Sequence, residues 1–77
     1  MNDKAALVAL RIATAYPLTE VEAAAYLTIT GSVDIATEAG KARGMGFEHA
    51  DVQDALLYSE ATTAEGIAHW VRNRRRA

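Results

Sequence analysis

Alanine accounts for 17 of the 77 residues, and this excess constrains the fold more than any other feature of the sequence. Alanine has the highest helix propensity, and the chain has a single proline and no alternating runs of β-branched residues. The composition therefore predicts an all-α fold, a compact bundle of four to five short helices in a single domain of residues 1–77. A chain of this length buries only about 60% of the surface that its unfolded form exposes. We expect a marginal monomer, or a subunit that a partner completes.

The first helix is predicted from Asp3 to Tyr16. Asp3 favours a helix N-terminus, and Pro17 disfavours helical geometry at the residue before it. Only a narrow polar stripe interrupts the apolar surface of this helix, and a short helix of that kind needs cover from more than one neighbour. Leu7 and Leu10 are therefore candidates for an interface with a partner.

Capping residues predict the second and third helices. Thr19 and Glu22 form a capping box at the start of a helix that should run to about Thr28. Ser32 follows a glycine turn and can cap a third helix, which the glycines of residues 40–46 should end. The predicted buried edge of the third helix consists of Ile35, Ala39 and Ala42.

Phe47 leads into a predicted fourth helix, and a second capping-box pattern, Thr62 to Glu65, predicts the start of a fifth. The sequence leaves open whether residues 47–76 form one continuous helix or two. The inward positions of the fourth helix should be Val52, Ala55, Leu56 and Ser59. One face of the fifth should carry Ile67, Trp70 and Val71.

The net charge of −2 averages two unlike parts of the chain. Residues 1–71 carry four basic and ten acidic side chains, a balance of −6, whereas residues 72–77 form a basic tail with four arginines. Lysine and arginine supply most of the affinity of proteins for the phosphates of nucleic acids. The nucleic-acid candidates are therefore Arg72, Arg74, Arg75 and Arg76.

Patterns typical of catalysis, metal binding or cofactor binding are missing from the sequence. The chain has no cysteine, and His49 and His69 do not have the spacing of a metal pair, so we expect solvated or partly packed histidines. The glycine-rich residues 40–46 lack the order of residues that is typical of a phosphate-binding loop. The carboxylates expected on a solvated face are Glu20, Glu22, Asp51 and Asp54. We therefore expect a protein that is not an enzyme, with no catalytic residue, metal, cofactor or small-molecule substrate.

The N-terminal residues do not resemble a secretory signal, because the start is not basic and Arg11 interrupts the apolar run. No segment approaches the about 18 apolar residues that a membrane span needs. We expect a chain that is not exported by its own signal and that is found in the cytoplasm or in a virion, without a membrane partner.

Two segments resemble the head-to-tail connector (adaptor) proteins of tailed bacteriophages. Residues 18–31, LTEVEAAAYLTITG, look like the opening of that family, and residues 68–74, AHWVRNR, are similar to its late helix. Together they cover about 21 of the 77 residues. The interval between them is shorter than the family usually has, and Val71-Arg72 replaces a Tyr-Glu pair. The resemblance implies a helical subunit of a ring between the portal and the tail.

Two weaker resemblances compete with the first. Parts of residues 18–30 also resemble excisionase-type winged helix-turn-helix proteins, which implies a small DNA-binding regulator. However, the recognition helix would be residues 33–40, which offer two carboxylates and no arginine or asparagine to base edges. Met45, Phe47 and Trp70 resemble the loop and helices of ubiquitin-associated three-helix domains, which makes them further candidates for a partner interface. The preferred hypothesis is a protein–protein interaction or assembly module that self-associates or binds another protein, and the alternative is the DNA-binding regulator.

Overall fold

Five α-helices make up the computed structural model, which describes the backbone of residues 3–76 and the side chains of residues 4–75. They are α1 (Asp3–Ala15), α2 (Glu20–Thr30), α3 (Val33–Gly44), α4 (His49–Tyr58) and α5 (Ala64–Arg76). The predicted all-α bundle is confirmed, and residues 47–76 form two helices. The prediction that Asp3 caps α1 concerns a side chain that lies outside the described residues.

The paired helices α2 and α3 lie in the middle of the bundle. On one side α1 packs against α2 and α3; on the other, α4 packs against both and α5 packs against α3 and α4. Within the described residues, α1 contacts neither α4 nor α5. The molecule is elongated, with extents of 41 × 20 × 16 Å.

The predicted start of α2 is confirmed. The Glu22 backbone N–H donates to Thr19 Oγ1 at 3.1 Å, and the Thr19 N–H donates to Glu22 Oε1 at 2.8 Å. The helix ends at Thr30, two residues later than predicted, at the point where Gly31 adopts left-handed geometry with φ 63°. That conformation is typical of glycine immediately after a helix.

The start of α3 is confirmed and the predicted start of α5 is wrong. Ser32 Oγ accepts a hydrogen bond from the Ile35 N–H at 3.2 Å, as the third-helix prediction requires. At α5 the capping hydroxyl belongs to Thr63, which accepts from the Gly66 N–H at 3.0 Å. This register places glycine at the third helical position, where no side chain can complete a capping box. The Ala64 N–H instead donates to Glu38 Oε1 at 3.0 Å, so a residue of α3 helps to cap α5.

The core combines a few large side chains with many alanines. The largest fully buried side chains are Tyr26, Ile67, Val52 and Val71. Alanines of all five helices are buried around them, and their small size lets the helix backbones approach closely. The predicted inward positions at Val52 and Ala55 are confirmed, whereas Leu56 and Ser59 are only partly buried.

The predicted buried edge of α3 is correct for Ala39 and Ala42 and wrong for Ile35, which is half-buried. Ala36 and Gly40 are buried there instead. Residues 36, 39 and 40 share one helix face at the i, i+3, i+4 spacing. This face carries no large side chain, so α1 and its C-terminal Tyr16 can pack directly against it.

Gly40 is the position where this close approach depends on glycine. A Cβ at Gly40 would lie 2.7 Å from Cδ2 of Tyr16, whereas a Cβ at Gly44 would meet only ordinary contacts at 3.9 Å. We expect Gly40→Ala to lower the free energy of unfolding by about 1 kcal/mol, because overpacking outweighs the gain in helix propensity. Urea unfolding measures the change, with Gly44→Ala as the matched control. Equal free energies of unfolding for the two variants would contradict the close approach of Tyr16 to Gly40.

Candidate interaction surfaces

The outer face of α1 carries two exposed leucines. Leu7 is 57% exposed and Leu10 is 49% exposed, while Ala9 and Ile12 on the opposite side are buried in the core. The bundle therefore covers α1 on one side only. The two residues predicted as partner-interface candidates lie on the side that faces solvent, and we call this surface the outer α1 face.

A groove runs between α1 and the start of α3. It consists of two adjoining open depressions of about 310 and 250 Å³, which share Val8 and Val33 as lining residues. Lys4 lines the first depression and Arg11 lines the second, and no acidic side chain lines either one among the described residues. This surface, the α1–α3 groove, is apolar and bordered by cations. Sequence patterns did not indicate it, because it exists only where two helices meet.

Another apolar surface lies at the C-terminal end of α4. Leu57 is 50% exposed and Tyr58 is 73% exposed, and the exposed Glu60 follows them in the loop to α5. We call these three residues the α4 tip. Sequence reasoning missed this surface. The adjoining pair of large apolar residues just before a turn is the signal that could have indicated it.

Met45, Phe47 and Trp70, the other interface candidates, have unlike surroundings. Met45 is 48% exposed after the end of α3, whereas Phe47 and Trp70 are partly buried and pack against the core. Arginines of α5 also cover the two aromatic rings. The Arg72 guanidinium lies 5.3 Å from the centre of the Phe47 ring, and that of Arg74 lies 5.3 Å from the centre of the Trp70 ring. These cation–π contacts leave Met45 as the most open of the three.

The C-terminal arginines are part of α5, and two of them pair with α4. Arg74 Nη1 lies 2.6 Å from Asp54 Oδ2, and Arg75 forms an ion pair with Asp51. Two of the four carboxylates expected on a solvated face therefore meet arginines of the predicted basic tail. The Arg76 side chain, also a nucleic-acid candidate, lies outside the described residues.

A polar cluster joins α2, α3 and α4. The hydroxyl of Tyr26, a fully buried residue, lies 2.8 Å from His49 Nδ1 and accepts a hydrogen bond from Arg43 Nη1 at 3.3 Å. Arg43 Nη1 also lies 3.1 Å from Glu22 Oε1. Because Arg43 donates to the tyrosine oxygen, the hydroxyl proton can be donated to a neutral His49. The cluster thus satisfies the polar end of the largest buried side chain.

The electrostatics of this cluster favour a charged Glu22 and a neutral Tyr26. The hydrogen bond from the Thr19 backbone, together with the hydrogen bond and charge of Arg43, holds the pKa of Glu22 below its ordinary value. Burial raises the pKa of Tyr26 above its ordinary value, although Arg43 acts in the opposite direction. At neutral pH the charged Glu22 carboxylate therefore pairs with the Arg43 guanidinium, and this ion pair has a structural role.

His49 and His69 lie in different surroundings and are not arranged as a pair of metal ligands. His49 belongs to the polar cluster, and Nε2 of the exposed His69 contacts Asn73 Nδ2 at 2.9 Å one helical turn away. Among the described side chains, those of residues 4–75, no group of three or more histidine or acidic residues is arranged to hold a metal ion. Across the same part of the chain, no helix is long and apolar enough to cross a membrane.

Comparison of the chain with protein-family models, curated proteins and solved structures gives no significant match.

Proposed function

We propose that this chain is a non-enzymatic protein–protein interaction and assembly module, and that its specific role is that of a head-to-tail connector subunit in a tailed bacteriophage. The general proposal rests on the exposure of the outer α1 face. Leu7 and Leu10, each about half exposed, project from a helix that the rest of the bundle covers on one side only. Large apolar side chains left on a helix face in this way are typical of surfaces that bind a partner.

The connector role is supported by the positions of the two segments that carry the resemblance. Residues 18–31 contain α2 and its left-handed C-cap, and residues 68–74 lie within α5. The segments are thus on two different helices, and the second lies in α5, as the resemblance to a late helix implies. That α1 precedes the first segment is a departure from the family's pattern. In this role α1 would be the element that a neighbouring protein covers, and the chain would be found in the cytoplasm during assembly and in the virion afterwards.

The charges favour assembly over the alternative of a helix-turn-helix DNA-binding regulator. On α3, the helix that would read bases, Lys41 Nζ pairs with Glu38 at 2.7 Å and Arg43 pairs with Glu22. Arg74 and Arg75 of α5 pair with aspartates of α4. Because affinity for DNA depends on cations that are free to meet phosphates, these pairs weaken the case for DNA binding.

The proposal is tested by site-specific photo-crosslinking in the cells that naturally produce the chain. We expect a photoreactive residue at Leu10 to give adducts of discrete mass. The same residue at Val21, which is 80% exposed on α2, serves as the matched control and should give none. Failure of Leu10 to exceed the control would contradict an interface on the outer α1 face. Sequence-specific retardation of DNA at physiological salt would favour the regulator instead.

A further inference from the structure

We infer that the α1–α3 groove binds the α4 tip of a second copy of this chain, so that copies associate head to tail. The inference names a partner for the proposed assembly role and rests on it. It uses surfaces other than the outer α1 face, so the two proposals can be tested separately.

Both surfaces are largely apolar. The groove offers two adjoining depressions with Val8 and Val33 between them. The α4 tip presents two adjoining apolar side chains, Leu57 and Tyr58, both at least half exposed. A tyrosine that enters a pocket is a frequent anchor of protein–protein interfaces, since it combines a large apolar ring with a polar hydroxyl.

The charges of the two surfaces are opposite. Lys4 and Arg11 are seven residues apart on α1, about 10 Å along the helix axis. Neither forms an ion pair with a carboxylate of the described residues. Glu60 at the tip has no cationic partner in the same part of the chain, and the last turn of α4 has no basic residue to offset the negative end of its dipole. Each surface lacks the charge that the other supplies.

The arrangement of the helices keeps both surfaces available at once. Within the described residues α1 makes no contact with α4, because α2 and α3 lie between them. One copy can therefore bind a second through its groove and a third through its tip. A contact between two different surfaces produces a ring when the rotation closes and a filament when it does not. A stable interface buries about 800 Å² per partner, which is about a sixth of the 4731 Å² surface of this chain. Because the α4 tip consists of only three residues, we expect weak, concentration-dependent association.

Sedimentation velocity of the purified full chain, from about 1 µM to about 1 mM, tests the inference over the range of weak protein affinities. We expect the average mass to rise with concentration. Tyr58→Ala, Arg11→Glu and Glu60→Lys should each weaken association about tenfold or more, because they remove the anchor or place like charges together. The double variant that carries both Arg11→Glu and Glu60→Lys should regain most of the lost association affinity.

Arg72→Glu is the matched control, because it changes the net charge as Arg11→Glu does but lies on α5, away from both surfaces. It should leave the association constant within about twofold of that of the original chain. All of these side chains are exposed, so far-UV circular dichroism should show unchanged helicity. A monomer at every concentration overturns the inference, as does association that none of the three single substitutions weakens. The outer α1 face is tested separately, by the crosslink at Leu10.

Discussion

Replacing Ile67 by alanine is expected to lower the free energy of unfolding by about 3 kcal/mol, within the range of large-to-small substitutions in protein cores. Ile67 has 0% exposure and is one of the four largest fully buried side chains. The other residues of the core cluster are mostly alanines, which are too short to fill the cavity left by the removed atoms. A domain of this length has a stability of about 4 to 11 kcal/mol, so the loss is a large part of the total.

Thermal unfolding followed by circular dichroism measures this effect, and we expect the midpoint to fall by about 15 °C. Val21→Ala is the control, since it also shortens a β-branched side chain but at a position that is 80% exposed. The control should change the free energy of unfolding by less than about 0.5 kcal/mol. A loss of less than 1 kcal/mol in Ile67→Ala would show that the site collapses around the shorter side chain.

Local signals predicted the helices of this chain well, because their effects act within one turn. Thr19, Ser32 and Pro17 mark helix boundaries through hydrogen bonds and backbone sterics that need no knowledge of the rest of the fold. The same reasoning was wrong at Thr62, because two successive threonines offer two possible caps. The carboxylate of Glu38, on α3, hydrogen-bonds to the Ala64 N–H next to the cap that forms. The local sequence pattern alone could not predict which of the two threonines caps α5.

The surfaces were harder to predict, because they depend on which helices meet. Leu7 and Leu10 are about half exposed although α1 packs against both α2 and α3. The sequence indicated a basic tail at residues 72–77, and the packing of α5 on α4 brings Arg74 and Arg75 of that tail to Asp54 and Asp51. The α1–α3 groove and the polar cluster likewise combine residues from helices that are distant in sequence.

Arg43 connects α3 to two residues of α2, and its replacement by methionine is the second substitution with a large expected effect. The guanidinium pairs with Glu22 and donates to the hydroxyl of the fully buried Tyr26, and the Arg43 side chain is only 15% exposed. Methionine keeps much of the apolar length of the side chain but removes these charged hydrogen bonds. We expect Arg43→Met to cost about 2 kcal/mol at neutral pH.

The matched control is Arg75→Met, which removes an ion pair with Asp51 from a side chain that is 59% exposed. Because exposed pairs contribute little, this control should cost less than about 1 kcal/mol. Urea unfolding of the two variants and the original chain at neutral pH makes the comparison. Equal costs for Arg43→Met and Arg75→Met would contradict a structural role for the polar cluster.

Acid should reduce the cost of Arg43→Met. The pKa of Glu22 is lowered in the folded chain, first by the Thr19 backbone N–H and then by Arg43, from an ordinary value of 4.5. A carboxylate of this kind contributes stability that is present above its unfolded-state pKa and is lost as the pH falls through its lower folded-state pKa. Arg43→Met removes one cause of the lowering, so the difference in unfolding free energy from the original chain should shrink below pH 4.5. A difference that stays constant between neutral pH and about pH 3 would show that Arg43 stabilises the bundle through packing and its hydrogen bond to Tyr26, and not through its pairing with Glu22.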